Sequence, residues 1–348
     1  MKASLRVYPE ALRWLDGLHG FLLVDKSAGM TSQDVITRMQ RTLLDRAPAS
    51  NPVRKRDLPK MGHGGTLDPF ATGLLVIAVG DGTKLARYLI DSEKSYEATV
   101  EFGARTASGD LTNEITERTD CLPESESALE SAASSFTGQP YLQLPPMYSA
   151  KKIDGQPLYE LARKGIEVER ALVSCKVPEF KVLESFRAGA VIQRARIRAR
   201  VSSGTYIRTL AEDFAIKLGS LAFLSALRRI SSGKSGTSFE AKDSLTLEQL
   251  ALSEDWTDLS AFIPFERCLV GRLPRFELTD DQSRAIIHGL KSMITEVEAQ
   301  FPPSESHVAL YHQGELRAVF VRNELGWDFE RVFHPRTERR AENDQSPS

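Results

Sequence analysis

Residues 60–80, KMGHGGTLDPFATGLLVIAVG, constrain the fold more than any other stretch of the chain. Residues 74–79 form an unbroken apolar run whose length and β-branching suit a strand covered on both faces, so other elements must be layered on each side of it. Gly62, Gly64 and Gly65 permit steep or left-handed backbone and close approach to a partner. Pro69 disfavours helical geometry at the residue before it and so excludes a helix through Leu67 and Asp68. Asp68 is therefore expected in a forced loop anchored in the core. An Asp before a Pro is ordinarily a turn former. His63, the glycines and Thr66 crowd the same segment, which makes this aspartate a candidate for chemistry.

The chain has 348 residues, long for one domain, and two compact units are the expectation. Hydrophobic residues at 41% and charged residues at 26% describe a soluble globular protein. No apolar run reaches the ~18 residues of a membrane span. Arg6, Glu10, Arg13 and Asp16 interrupt the first twenty positions, which lack the apolar core of a signal peptide, so the cytoplasm is the expected compartment. Cys121, Cys175 and Cys268 show no paired spacing, so neither a disulfide framework nor a metal site is expected.

A net charge of -2 does not advertise a nucleic-acid partner, but the charges are segregated. Residues 34–65 hold seven Lys or Arg against three Asp, and residues 191–210 hold five Arg with no acid. Residues 110–130 hold seven acids against Arg118 alone, and residues 240–260 hold six against Lys242 alone. Such patterning predicts a basic face on a near-neutral molecule.

Periodicity supplies the elements. Residues 20–26 read as a buried strand, followed by an amphipathic helix capped by Thr31 or Ser32 and burying Val35, Ile36, Met39 and Leu43. Residues 94–102 alternate, with Tyr96, Ala98, Val100 and Phe102 inward. An inward Tyr is ordinarily core packing. A helix is expected near residues 126–136, a strand over 148–153, and a short helix opened by Pro157 and closed by Gly165. Residues 191–201 form a strand with Arg194, Arg196, Arg198 and Arg200 on one side, either a charged sheet face or an RNA-backbone contact. The next helix buries Ile207, Leu210, Ala211, Phe214 and Leu218, with Arg208 in its first turn. A cation there opposes the helix dipole, so something anionic should compensate it. Beyond residue 273 a short helix over 278–290 and strands over 307–310 and 316–321 are expected.

Several motifs resemble those of the bacterial tRNA pseudouridine synthases of the TruB family. Residues 62–75 match GHxGxLDPxAxGxL, residues 145–163 match PPxxSAxKxxGxxxYxxAR, residues 202–210 match SxGTYIRxL, and residues 224–229 match LxxLRR. Lys26, Gly29, Thr31 and Ser32 match the pattern Lys-Pro-x-Gly-x-(Ser/Thr)-Ser, but Ser27 stands where proline is usual. Compared with the family, residues 45–59 look like an insertion, either a solvated linker or a mobile arm touching phosphates.

The resemblance implies a mixed α/β (α+β) fold with a largely antiparallel sheet of the pseudouridine synthase type, and a small C-terminal β-rich PUA-like domain. The implied division is a catalytic domain over 18–265, a C-terminal RNA-binding domain over 273–335, and flexible ends at 1–17 and 336–348. It implies isomerisation of the uridine at position 55 in the T loop of tRNA to pseudouridine, by a monomer, with no cofactor and no metal. Asp68 would be catalytic and paired with Arg208. Tyr96 would lie against the base, Leu227 would be the apolar wall of the uracil pocket, and Tyr206 would contact substrate. His63 would fill or brace the space vacated by the extruded nucleotide. Lys26, Gly65, Leu67 and Pro69 would support the loop. The rival readings are a non-catalytic RNA-binding or RNA-folding protein, and an aspartate-dependent hydrolase or glycosidase. Most glycosidases need a second carboxylate opposite the first, and the loop offers none.

Overall fold

A computed structural model describes residues 8–149, 151–153, 155–234, 236–290, 296–301 and 304–334. The apolar run of residues 74–79 lies in strand β3 (Thr72–Val79), buried from Gly73 onward at the middle of a nine-stranded sheet. Its antiparallel neighbour is β1 (Gly20–Lys26), and short β2 (Met61–His63) also pairs with it. Helix α1 (Ser32–Asp45) buries the four residues expected of it. Thr31 caps it, accepting from Asp34 N at 3.1 Å while Asp34 accepts from Thr31 N at 2.9 Å.

After α2 (Ala86–Ile90) comes β4 (Lys94–Phe102), alternating inward and outward as its sequence does. The acidic excursion folds into the hairpin β5–β6 (Ala104–Thr106, Ile115–Arg118) and helix α3 (Glu126–Ser134). A two-stranded ribbon pairs β7 (Tyr141–Gln143) with β10 (Val173–Cys175). Between them lie the small pair β8–β9 (Lys152–Ile153, Gln156–Pro157) and helix α4 (Leu158–Arg163). The strand expected over 148–153 is thus only its last two residues. Tyr148 and Ser149 lie in a bend, where their carbonyls serve side-chain and backbone donors instead of a ladder.

The sheet continues with β11 (Glu179–Ala188), β12 (Val191–Val201), β13 (Ala222–Ser232), β14 (Phe239–Glu240) and β15 (Phe262–Pro264), in the order β11-β12-β4-β13-β3-β1-β15. Among the described residues its pairings are antiparallel except β13 with β3. That parallel seam requires Gly73, whose φ is +96° and whose added Cβ would stand 2.3 Å from the Arg229 carbonyl oxygen. Helix α5 (Ile207–Lys217) packs on one face through Phe214, whose ring centroid is 5.1 Å from Phe180 and 6.1 Å from Phe102. On the other face the β12 arginines meet glutamates: Arg194–Glu101 at 3.4 Å, Arg196–Glu184 at 3.2 Å, Arg198–Glu97 at 2.6 Å and Arg200–Glu93 at 3.9 Å. Of the two readings of this stripe, these contacts favour a charge-paired sheet face.

Following α6 (Leu247–Leu252), a four-stranded sheet forms from β16 (Arg275–Glu277), β17 (His307–His312), β18 (Glu315–Asn323) and β19 (Gly326–Val332), with α7 (Asp280–Ile287) against it. This is the small C-terminal β unit, and it faces two ways. Val308, Leu310 and Phe320 pack with Leu278, Ile286 and Phe301, whereas Ala309, Tyr311 and Val319 join the core of the large sheet.

The expectation of a flexible end over 1–17 fails for residues 8–17. Glu10–Asp16 is a 3₁₀ helix burying Leu12 and Leu15, and the Tyr8 hydroxyl donates to the Asp57 carbonyl at 2.6 Å. Residues 336–348 lie outside the described residues. In the segment 45–59, Arg46 donates to the carbonyls of Leu250 and Ala251 at 3.1 and 2.9 Å, Leu58 is buried, and Arg54, Lys55 and Arg56 are exposed.

Candidate active site

The loop between β2 and β3 is pinned from three directions. Ser32, in the first turn of α1, accepts from Leu67 N at 2.9 Å. The Pro69 carbonyl accepts from Gly29 N at 2.8 Å and from Lys26 Nζ at 3.2 Å. Arg229, on the inward side of β13, donates to the carbonyls of Thr66 at 2.7 Å and Gly65 at 3.2 Å. Lys26 is wholly buried and also donates to Met30 O at 2.7 Å and Ser27 O at 3.0 Å. Burial lowers its pKa to about 8. These bonds tie Lys26 to the loop through carbonyls, one of them that of Ser27, which stands where proline is usual.

Asp68 projects from this loop onto Arg208, which donates through Nε to Oδ2 at 2.9 Å and through Nη2 to Oδ1 at 3.2 Å. The compensating anion demanded by the cation in the first turn of α5 is thus Asp68, 140 residues away in sequence. The guanidinium also donates to Ser108 O at 2.6 Å and Tyr148 O at 2.8 Å, and lies 3.8 Å from Asp110. Arg208 is 3% exposed and Asp68 32%, so the arginine is enclosed while one side of the carboxylate stays open. Desolvation pushes the Asp68 carboxyl above its ordinary value, Arg208 opposes that rise and Asp110 adds to it.

The open side faces a cavity of ≈ 390 Å³, a volume suited to a small-molecule-sized group. Tyr96 and Leu227 wall it from adjacent strands. The Tyr96 hydroxyl accepts from Arg229 Nε at 3.2 Å, with that guanidinium 5.4 Å from the ring centroid. His63 lines the cavity with a buried Nδ1 that has no partner among the described residues, and burial together with Arg229 lowers its pKa, favouring the neutral imidazole. Tyr206 also lines it. Its peptide is clamped by Gln143, whose Oε1 accepts from Tyr206 N at 2.7 Å and whose Nε2 donates to Tyr206 O at 3.0 Å. All the residues singled out in the sequence, Asp68, His63, Tyr96, Tyr206, Arg208 and Leu227 with the supporting Lys26, Gly65, Leu67 and Pro69, meet at this cavity or in the shell holding its loop.

The arrangement places an acid, fixed by a guanidinium, beside an aromatic and an aliphatic wall. A carboxylate held in this way can act as nucleophile or base on a group that enters the cavity. The family model described as TruB family pseudouridylate synthase (N terminal domain) matches residues 53–207. The chain is 36% identical over 312 residues to a tRNA pseudouridine synthase B of Oenococcus oeni, covering 88% of this chain and 95% of that protein. It is 37% identical over 312 residues to that of Streptococcus agalactiae, covering 89% and 97%. The chain belongs to the TruB family of pseudouridylate synthases. Among solved structures it resembles a chain of a Cbf5–Nop10–Gar1 complex with a TM-score of 0.63 at 23% identity, over 94% of this chain and 88% of that one, a likeness of fold. The TruB match ends at Ile207, so Arg208, Leu227 and Arg229 complete the site from beyond it.

Sequence reasoning gave no site role to Arg229, Lys94, Gln143, Asp110 or Ser149. Arg229 had a usable signal: it shares the inward parity of Leu227 on β13 and is 2% exposed. Lys94 shares the parity of Tyr96 and lines the cavity. It donates to the carbonyls of Leu89, Ile90 and Ser92 at 3.1, 2.9 and 2.8 Å, and burial lowers its pKa to about 7. Asp110 accepts from Thr112 N at 2.9 Å and Ser108 Oγ at 2.7 Å, contacts set by a turn rather than by any periodic pattern.

Proposed function

We infer that this protein isomerises uridine to pseudouridine in tRNA, at position 55 of the T loop, working as a monomer in the cytoplasm. The observation that carries the reading is the Asp68–Arg208 pair at the mouth of a cavity walled by Tyr96 and Leu227. Family membership supports the same reaction class. In this reaction the N1–C1′ bond of uridine breaks, the uracil turns, a C5–C1′ bond forms, and the C5 proton is lost while N1 gains one. Product and substrate are isomers, so no external co-reactant enters the balance.

Each residue has a distinct task in this reading. Asp68 is the catalytic carboxylate, and Arg208 keeps it aimed. Tyr96 and Leu227 sandwich the base, which retains the free uracil while it turns. Tyr206 contacts the nucleotide, and His63, held neutral, occupies the space left in the loop when the nucleotide is extruded. Extrusion costs a few kcal/mol, roughly, which binding of the folded T arm must offset. The C-terminal β unit is assigned to further RNA contact.

The test is incubation with an unmodified tRNA transcript followed by site-resolved pseudouridine detection. Wild type should convert position 55, and Asp68→Asn should lower the rate by at least about 10²–10⁴-fold while tRNA affinity is retained. Activity surviving in Asp68→Asn would refute the mechanism, and product found only outside the T loop would refute the substrate assignment.

A further inference from the structure

Two polar atoms that line the cavity, His63 Nδ1 and Ser149 Oγ, are buried and have no hydrogen-bond partner among the described residues. Ser149 is 5% exposed, its Oγ has no hydrogen-bond partner among the described residues, and it lines the same cavity as Asp68, Tyr96 and Leu227. Buried hydroxyls are ordinarily paired, and one left unpaired against a cavity that can admit a ligand calls for a cause.

The backbone that carries this hydroxyl is firmly held. Ser149 N donates to Met147 O at 2.9 Å, and Ser149 O accepts from Tyr159 N at 3.1 Å. The preceding carbonyl, that of Tyr148, accepts from Arg208 Nη2 at 2.8 Å. The guanidinium that grips Asp68 therefore also fixes the segment from which Ser149 points, so acid and hydroxyl are registered to one another through a single side chain.

We propose that Ser149 is a substrate-contacting residue whose hydroxyl hydrogen-bonds a polar group of the uridine seated beside Asp68. The inference rests on the isomerase reading above and adds a residue to it. Tyr96 and Leu227 offer a base only its faces, leaving the polar edges of uracil and the ribose hydroxyl to be satisfied by other groups. A hydroxyl can donate or accept, so one group can serve a base that presents different edges before and after it turns.

The test compares full-length wild type, Ser149→Ala and Ser149→Cys by thermal melting, tRNA affinity and single-turnover pseudouridine formation. Removing a hydroxyl that has no protein partner should leave the melting temperature unchanged or raised, while the Ser149→Ala rate falls about 10-fold or more. Ser149→Cys, similar in shape but a weaker donor, should fall between the two. A Ser149→Ala rate within about twofold of wild type, below the smallest ordinary hydrogen-bond effect, would overturn the proposal. So would a joint loss of melting temperature and rate that Ser149→Cys restores, since that marks packing. Wild type forming no pseudouridine would overturn the isomerase reading and this inference with it, and that outcome is read before any variant is measured.

Discussion

Asp68 sits between opposing influences that set its protonation. Desolvation raises its pKa, the Arg208 cation lowers it, and the Asp110 anion raises it again. A catalytic carboxylate works ionised, so activity is lost as pH falls through the pKa of Asp68 in the folded protein. Because that pKa is raised, the acid limb of kcat/KM should lie above the ordinary Asp value of about 3.9. Asp110→Asn removes an influence that raises it and should move the limb toward lower pH. A pH–rate profile of the two proteins checks both the position and the sign. Arg208 is itself held by more than Asp68, since it is buried and donates to two carbonyls as well.

At the level of elements, the site depends on the parallel seam between β13 and β3 in the large sheet. β13 brings Leu227 and Arg229 to the cavity side, and it meets β3 where Arg229 pairs with Gly73. Gly73→Ala forces a side chain into left-handed backbone and against the Arg229 carbonyl. It should cost at least about 2 kcal/mol of stability, and it should lower activity because Arg229 holds the carbonyls of Gly65 and Thr66 in the Asp68 loop. Denaturant melts and turnover on the same preparation would test this, and an unchanged midpoint would show that the seam tolerates a Cβ. The β12 arginines answer to a different logic. Their neighbours across the sheet are glutamates, so the stripe that read equally as an RNA contact is balanced by charge on its own face.

For the whole molecule, the decisive feature is that the C-terminal sheet shares the core of the large sheet. Phe333 packs on Phe265 with ring centroids 5.0 Å apart, and Tyr311, Leu316 and Val319 belong to the same buried cluster as β1 and β3. Arg87 and Tyr88 of α2 both bond to Glu330 of β19, while Ile90 of the same helix lines the cavity. A single calorimetric unfolding transition is therefore expected in place of two. Removing residues 273–348 should lower the melting temperature and expose apolar surface to a hydrophobic dye. Two well-separated transitions would instead mean that the units fold independently.

What the sequence alone determined about this protein is local. The glycines, Pro69 and the apolar run set the Asp68 loop and its strand, alternation set β4 and β12, and capping residues set α1, because each follows from steric and solvation preferences of neighbouring residues. The family resemblance added the roles expected of Asp68, Tyr96 and Arg208. Strands β11, β15, β16 and β19 went unseen, being short, irregularly patterned or half-exposed segments whose pairing depends on distant partners. Only the tertiary structure decided that Arg229 braces the Asp68 loop, that Gln143 clamps Tyr206, that Asp110 stands behind Arg208, and that the C-terminal sheet is fused to the core. These contacts join residues tens to hundreds of positions apart, and their energies come from burial and hydrogen-bond geometry that no window of sequence contains.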